Sequence, residues 1–281
     1  INWFLMASII LLVLGFQSSS NLAAAYGIAV TGTMFITNVL AISVAVRLWH
    51  WHPVRAVLGA LPFIVIDGCF LGANTFKIAD GGWFPLIFGL AVFTVFSTWK
   101  RGRDLVSERM ADDALELKDF VKNLDRGGVM RVDGTAIFLV TESTYVPQAM
   151  LHSLKHYKVI HKHVIFLKVT LDTVPYVPHH QRIEVEQLSD TFWTVSINYG
   201  FKDDINIPEA LKHCKIQGVS FGLMESSYFL GRETLIPKIK SDMAYWRELL
   251  FIFMYRNSDS ATSFYRLPSN RVVELGSQVV L

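Results

Sequence analysis

Charge is what the first third of this sequence lacks. Residues 1–99 carry only five charged side chains, Arg47, Arg55, Asp67, Lys77 and Asp80, whereas from Lys100 onward charges recur every few residues. The chain is written for two solvents, and that break divides its 281 residues into about two domains. Cysteine is scarce as well: Cys69 and Cys214 stand one in each half, which excludes a disulfide framework and offers no metal-ligand spacing. The formal net charge of +2 leaves no clustered Lys/Arg to displace counterions from phosphates, so nucleic acid drops out as a partner. No basic n-region or small-residue cleavage site accompanies the opening apolar run, which is therefore not a signal peptide. A start at Ile1 in mid-run is expected of a piece of a longer protein. Nucleophile elbows, paired catalytic carboxylates and glycine-rich phosphate loops are missing after every expected strand, so neither catalysis nor a cofactor is expected.

What is there in abundance is long apolar runs. A bilayer core of about 30 Å takes about 20 helical residues, because lipid cannot satisfy free backbone polar groups. Four runs are candidates, 1–16 (short), 22–46, 54–76 and 83–99, separated by brief polar gaps at 17–21, 47–53 and 77–82. Four such helices packed in a globular protein would leave no polar face for water, which argues for membrane. Arg47 and Arg55 flank one loop and Lys100, Arg101 and Arg103 follow the last run, against Lys77 alone on the other side. The basic side stays in the cytosol, so residues 1–103 form a membrane domain of four transmembrane helices and residues 104–281 a cytosolic one. Trp49, Trp51, Trp83 and Trp99 fall where rings sit at headgroup depth.

Within the second run Asn21 can cap the helix, and Ala25, Ala29 and Gly32 share a face on which a neighbouring helix could approach closely. The string from Gly27 to Thr33 superficially looks like a phosphate loop, but it has no Lys and lies inside a span, so nucleotide binding there is rejected. Asp67 is the candidate for an ion pathway, since an ionisable group at that depth is costly. Its alternative is a structural carboxylate bonded to backbone groups that Pro62 frees.

The polar half reads as α/β. Met110, Ala114, Leu117, Val121 and Leu124 predict an amphipathic connecting helix over 104–126, ended by Gly127 and Gly128, whose heptad-like spacing leaves docking on its own domain or on a second protomer open. A strand at 134–141, a helix from Pro147 to Tyr157 and a strand at 163–171 predict a parallel βαβ unit. Alternating runs at 182–188 and 192–199 predict a hairpin through Ser189 and Asp190, followed by a short helix from Pro208 to Cys214 and a strand at 226–236. The sheet is expected to be mixed. His152, His156, His161 and His163 have spacing a metal could bridge, but no carboxylate or Cys completes a set, so they are taken as solvated and no metal site is assigned. The stretch 242–256 is too short to span and too apolar for a free surface, which leaves burial in the core or docking on the inner membrane face.

Several of these strings resemble one family. The segment Ser18 to Met34 is similar to the signature of the Kup/HAK/KT potassium transporters, as are Gly81-Gly82-Trp83-Phe84-Pro85-Leu86 and Thr98-Trp99-Lys100. In the polar half Leu154 to His161, Tyr199-Gly200-Phe201, Tyr228 to Leu235 and Pro268 to Gly276 agree, so the resemblance runs nearly end to end and looks like the bacterial Kup branch. It implies an α-helical bundle holding the last four of about twelve spans in an inverted-repeat architecture, uptake of the potassium ion in symport with a proton across the cytoplasmic membrane, and main potassium ligands in earlier spans. It also implies an acidic position at Asp67, and, from related importers, a regulatory nucleotide on a cytosolic domain that gates transport. A membrane-anchored ligand sensor and an amino-acid/cation transporter of the same architecture are the alternatives.

Overall fold

The structure is a computed structural model that describes every residue except 1, 113, 114, 215, 217, 218, 220, 223, 224 and 239–241, with the backbone alone for Asp112. It divides into two compact units, Ile1–Ser97 and Thr98–Leu281.

The first unit is helical. Helices α1 (Asn2–Phe16), α2 (Ser19–Arg47) and α3 (Pro53–Thr75) are followed by a π-helical turn at Ile78–Gly82 and by α4 (Trp83–Asp112), whose later residues belong to the second unit. Among the described residues three helical stretches are long and apolar enough to cross a membrane: Ser19–Arg47, Pro53–Thr75 and Ile78–Ala111. Helix α1, at 15 residues, is apolar but shorter. Most of their side chains face outward, as expected when the surrounding solvent is hydrocarbon. Polar side chains within the spans turn their hydroxyls back on the helix. Thr31, Thr33 and Thr37 each donate to the carbonyl four residues earlier at 2.8 Å, and Thr75 and Thr94 do the same at 2.8 Å. The N-cap of α2 is Ser18 rather than Asn21, which lies inside the first turn.

The second unit is a six-stranded sheet in the order β3-β4-β2-β1-β5-β6, with β1 (Met130–Val140), β2 (Val159–Asp172), β3 (Ile183–Gln187), β4 (Phe192–Gly200), β5 (Ser226–Ile236) and β6 (Val272–Val280). Only β3 runs antiparallel to its neighbour, so the sheet is mixed. Ala136 to Phe138 and Val164 to Leu167 are buried continuously, because both faces of the central strands are covered. On one face lie α5 (Leu117–Arg126) and α6 (Gln148–Tyr157), packing Leu117, Val121 and Met150 against Phe138, Phe166 and Phe192. On the other lies α7 (Ile207–Lys212), packing Ile207 and Leu211 against Ile165, Val195 and Ile197. Gly134, at φ 107°, sits where the β1–β2 register shifts, and a Cβ there would stand 3.1 Å from the Glu225 carbonyl.

The single connecting helix expected over 104–126 is two helices. Helix α4 ends at Asp112 and α5 begins at Leu117, with Val146 and Leu117 donating across to the Leu115 and Thr144 carbonyls. Ala114 lies outside the described residues. The two apolar stripes dock on different parts of their own unit: Leu117 and Val121 on the sheet, Met110 beside Leu105 and Val106. A repeating pattern thus continued across a break because each half faces its own core.

A third cluster joins the cytosolic end of α4 to α8 (Tyr245–Arg256) and the ends of β5 and β6. Leu105, Val106, Phe251, Ile252, Leu235 and Leu281 are buried together. Trp99 packs its ring on Phe251 at 5.6 Å and on Tyr255 at 6.4 Å, and a Cβ on Gly102 would fall on the Phe251 ring. Helix α9 (Ala261–Phe264) leads back towards β6.

At the carboxyl ends of β2 and β4 a half-buried ion pair fixes the crossover loop. Asp203 accepts from the Val177 and Gly200 amides at 3.0 and 2.8 Å and meets Arg182 at 2.9 Å, while the Arg182 guanidinium lies over the Tyr199 ring. Burial alone would raise this carboxyl, but the two amides and Arg182 outweigh it and hold Asp203 below its ordinary value. Its stabilisation is therefore complete above the unfolded value of about 3.8 and disappears as pH falls through the lower folded value. Removing one partner of a fully buried pair costs about 3–5 kcal/mol, and this half-buried pair falls below that. Asp203→Asn should lower the unfolding temperature at neutral pH, and should remove part of the acid sensitivity of the parent protein, as read by thermal unfolding between pH 2 and 7 at roughly one-unit intervals.

Candidate functional site

The chemistry-bearing position of the membrane unit is Asp67. It lies about two turns from the Thr75 end of α3 and is 5% exposed, on a helix whose other residues mostly face outward. Proline at 62 does not interrupt α3, and the partner of Asp67 is not a backbone group released there: Asn38 of α2 donates its Nδ2 to Asp67 Oδ2 at 2.5 Å. Two neighbouring helices are thereby joined by a carboxylate and a neutral amide. Among the described residues no Lys or Arg forms a salt bridge with Asp67, so no fixed cation neutralises it. Asn38 went unnoticed in the sequence because an uncharged amide barely interrupts an apolar run. A second amide, Asn74, shows the same signal: polar residues without charge inside spans.

Within this chain, close helix approach involves one of the three small residues singled out on α2. Of Ala25, Ala29 and Gly32, Ala25 is buried, but Ala29 is exposed and a Cβ on Gly32 would meet open space. The face of α2 that packs is Ala24, Ala25, Gly27 and Ile28. A Cβ on Gly27 would stand 2.9 Å from Asn74 Oδ1, one on Gly82 would overlap the Ile28 side chain, and one on Gly81, at φ 147°, would overlap the Asn21 carbonyl oxygen. Helical periodicity placed small residues on a face, but the π-helical turn and α3 approach about one residue round from it.

In the α/β unit the four histidines do not converge. His152 and His156 stack on α6 at 6.2 Å, His161 stands 5.7 Å from Phe229, and His163 stands 5.6 Å from Trp193. Burial lowers the pKa of His161, and of His163 with help from Lys162 and Arg131, so both favour the neutral form. Among the described residues no group of three or more His, Cys, Asp or Glu could hold a metal. A cavity of about 240 Å³ opens beneath α6, lined by Phe138, Met150, Tyr157, Ile160, Phe229 and other mostly apolar residues, and offers a phosphate no Lys or Arg. Cys214 is buried and its thiol is pushed up to about 11, which keeps it protonated and unreactive.

The Gly27 contact makes a direct test of the helix pair. Gly27→Val should overpack the α2–α3 seam at a cost of about 1–3 kcal/mol, seen as a lower unfolding temperature in detergent, whereas Gly32→Val at an open position should leave it unchanged.

Residues 1–104 match the family model described as the K+ potassium transporter integral membrane domain, and residues 133–281 match that of the K+ potassium transporter C-terminal domain. The probable potassium transport system protein Kup 3 of Dechloromonas aromatica (strain RCB) is 62% identical over 281 residues, covering 100% of this chain and 45% of that protein. Kup 1 of the same organism is 53% identical with the same coverage. The Kup protein of Azoarcus sp. (strain BH72) is 49% identical over 100% of this chain and 44% of its own length. The chain therefore spans less than half the length of these relatives. With three membrane-length helical stretches in one unit and a mixed α/β sheet in the other, it is a multi-pass membrane protein with a soluble C-terminal domain, and it belongs to the K+ potassium transporter family.

Proposed function

We propose that this chain serves secondary uptake of potassium across the cytoplasmic membrane, with each ion entering in symport with a proton. Potassium as substrate is supported by the family and by the names of its relatives. Proton coupling is supported by one structural observation: a buried carboxylate, Asp67, held inside a membrane-length helix by the neutral amide of Asn38 and paired with no Lys or Arg among the described residues. A carboxyl so placed changes charge when it takes up a proton, and the field felt by a nearby cation changes with it. The Asn38 amide supports either charge state, because its oxygen can accept from a protonated carboxyl as readily as its nitrogen donates to an ionised one.

The α/β unit is the regulatory part in this reading, acting on transport from inside the cell. Its support is that the cytosolic end of α4 is built into the hydrophobic core of that unit through Leu105 and Val106. A regulatory nucleotide would have to bind outside the α6 cavity, whose lining supplies no cationic side chain for its phosphates.

The full-length protein should restore growth of potassium-uptake-deficient cells at low potassium and acidify the cytosol as potassium enters; normal membrane expression without growth would overturn the substrate assignment. Asp67→Asn keeps the size and a hydrogen-bonding group but cannot take up a proton, so it should abolish the stimulation of uptake by external acid while leaving expression near normal. Unchanged pH dependence with merely reduced expression would make Asp67 a packing residue.

A further inference from the structure

Helix α8 uses only part of its surface within its own unit. Glu248, Phe251 and Ile252 are buried, while Tyr245, Trp246, Leu249 and Phe253 are exposed, Trp246 at 58% and Phe253 at 65%. At about 100° per residue these four fall within an arc of about 100°, a continuous apolar stripe. Water is a poor solvent for such a face, and a stripe of this kind marks an interaction surface.

The position of α8 says what covers it. Arg247 Nε donates to Thr98 Oγ1 at 2.9 Å, Phe251 packs on Trp99 and Gly102, and Tyr255 packs on Trp99. These contacts, with Phe251 and Ile252 buried beside Leu105 and Val106, hold α8 against the stretch of α4 where its apolar part gives way to Lys100, Arg101 and Arg103, with Trp99 where rings sit at headgroup depth. Cations frame it: Lys100 and Arg103 are exposed on α4, and exposed Arg256 closes the stripe on α8 itself.

We infer that α8 is an interfacial helix whose Tyr245, Trp246, Leu249 and Phe253 face docks on the cytoplasmic leaflet of the bilayer, with Lys100, Arg103 and Arg256 meeting anionic headgroups. Its outer side chains enter the boundary between headgroups and acyl chains, where Trp and Tyr rings are favoured, and its inner side remains pinned by the Tyr255 hydroxyl to Glu233 at 2.7 Å and by Glu248 to the Lys238 amide at 2.8 Å. The bilayer is favoured over a second copy of the chain because α8 packs on Trp99 at the end of an apolar helix and is accompanied by the exposed cations Lys100, Arg103 and Arg256, positive charge that repels its own kind and attracts the inner leaflet. The inference holds whichever ion is carried.

Spin labelling of the full-length protein tests it. In a full-length background with every cysteine replaced, Cys69→Ser and Cys214→Ala among them, the single substitutions Trp246→Cys, Leu249→Cys and Phe253→Cys are labelled with a nitroxide and reconstituted in phosphatidylcholine vesicles containing phosphatidylglycerol. Collision with oxygen should exceed collision with a water-soluble nickel chelate severalfold at all three sites, while Lys118→Cys on α5 should show the reverse. The stripe positions are exposed, so their labels should not disturb the fold, and agreement of three sites guards against one faulty variant. Nickel-dominated collisions at the stripe would overturn the proposal. So would exclusion of both reagents, with or without spin–spin broadening between copies, because protein would then be the cover.

Discussion

Hydrocarbon supplies no hydrogen-bond partner, and the membrane unit is organised around that fact. Its threonines return their hydroxyls to their own helix, its one buried carboxylate is met by an amide from the next helix, and its glycines let backbones come close enough to pack without a solvent drive. The other unit obeys the opposite rule. Water drives it to cover both faces of its sheet, and α4 changes character along its length as it passes from one regime to the other.

That passage explains the density of structure around residue 100. A span that simply ended in Lys100 and Arg101 would leave Trp99, Leu105 and Val106 wet. Instead α8 lies over them, and Gly102 permits the approach because its missing side chain is the space that the Phe251 ring fills. Tyr255 is raised in pKa first by burial and then by the Glu233 carboxylate that accepts its hydroxyl, so it stays neutral and keeps donating at any physiological pH.

Much of this was legible beforehand, for physical reasons that differ by element. The spans were written as an absence of charge, and the central strands as runs such as Ala136 to Val140 that only two-sided burial makes sensible. Strand β6 was not seen, because Glu274, Gly276, Ser277 and Gln278 make an edge strand look like a polar tail, and its pairing with β5 is remote in sequence. The break between α4 and α5 hid behind a regular apolar spacing. At the candidate site Asp67 announced itself by charge, whereas Asn38 did not. Which face of α2 would be packed depends on where the π-helical turn comes to rest, and a single helix's periodicity does not contain that information.

The same two-sided coverage carries a liability. Before α5, α6 and α7 are in place, the strands Met130–Val140 and Val159–Asp172 are naked β-branched and aromatic segments of the kind that stack into cross-β fibrils. Because their partners are parallel, pairing must wait for crossovers to form, which prolongs the exposure. The slower the α/β unit condenses, the longer these segments stay open to cross-chain pairing, so the folding rate of this unit bears on how much of the chain escapes aggregation.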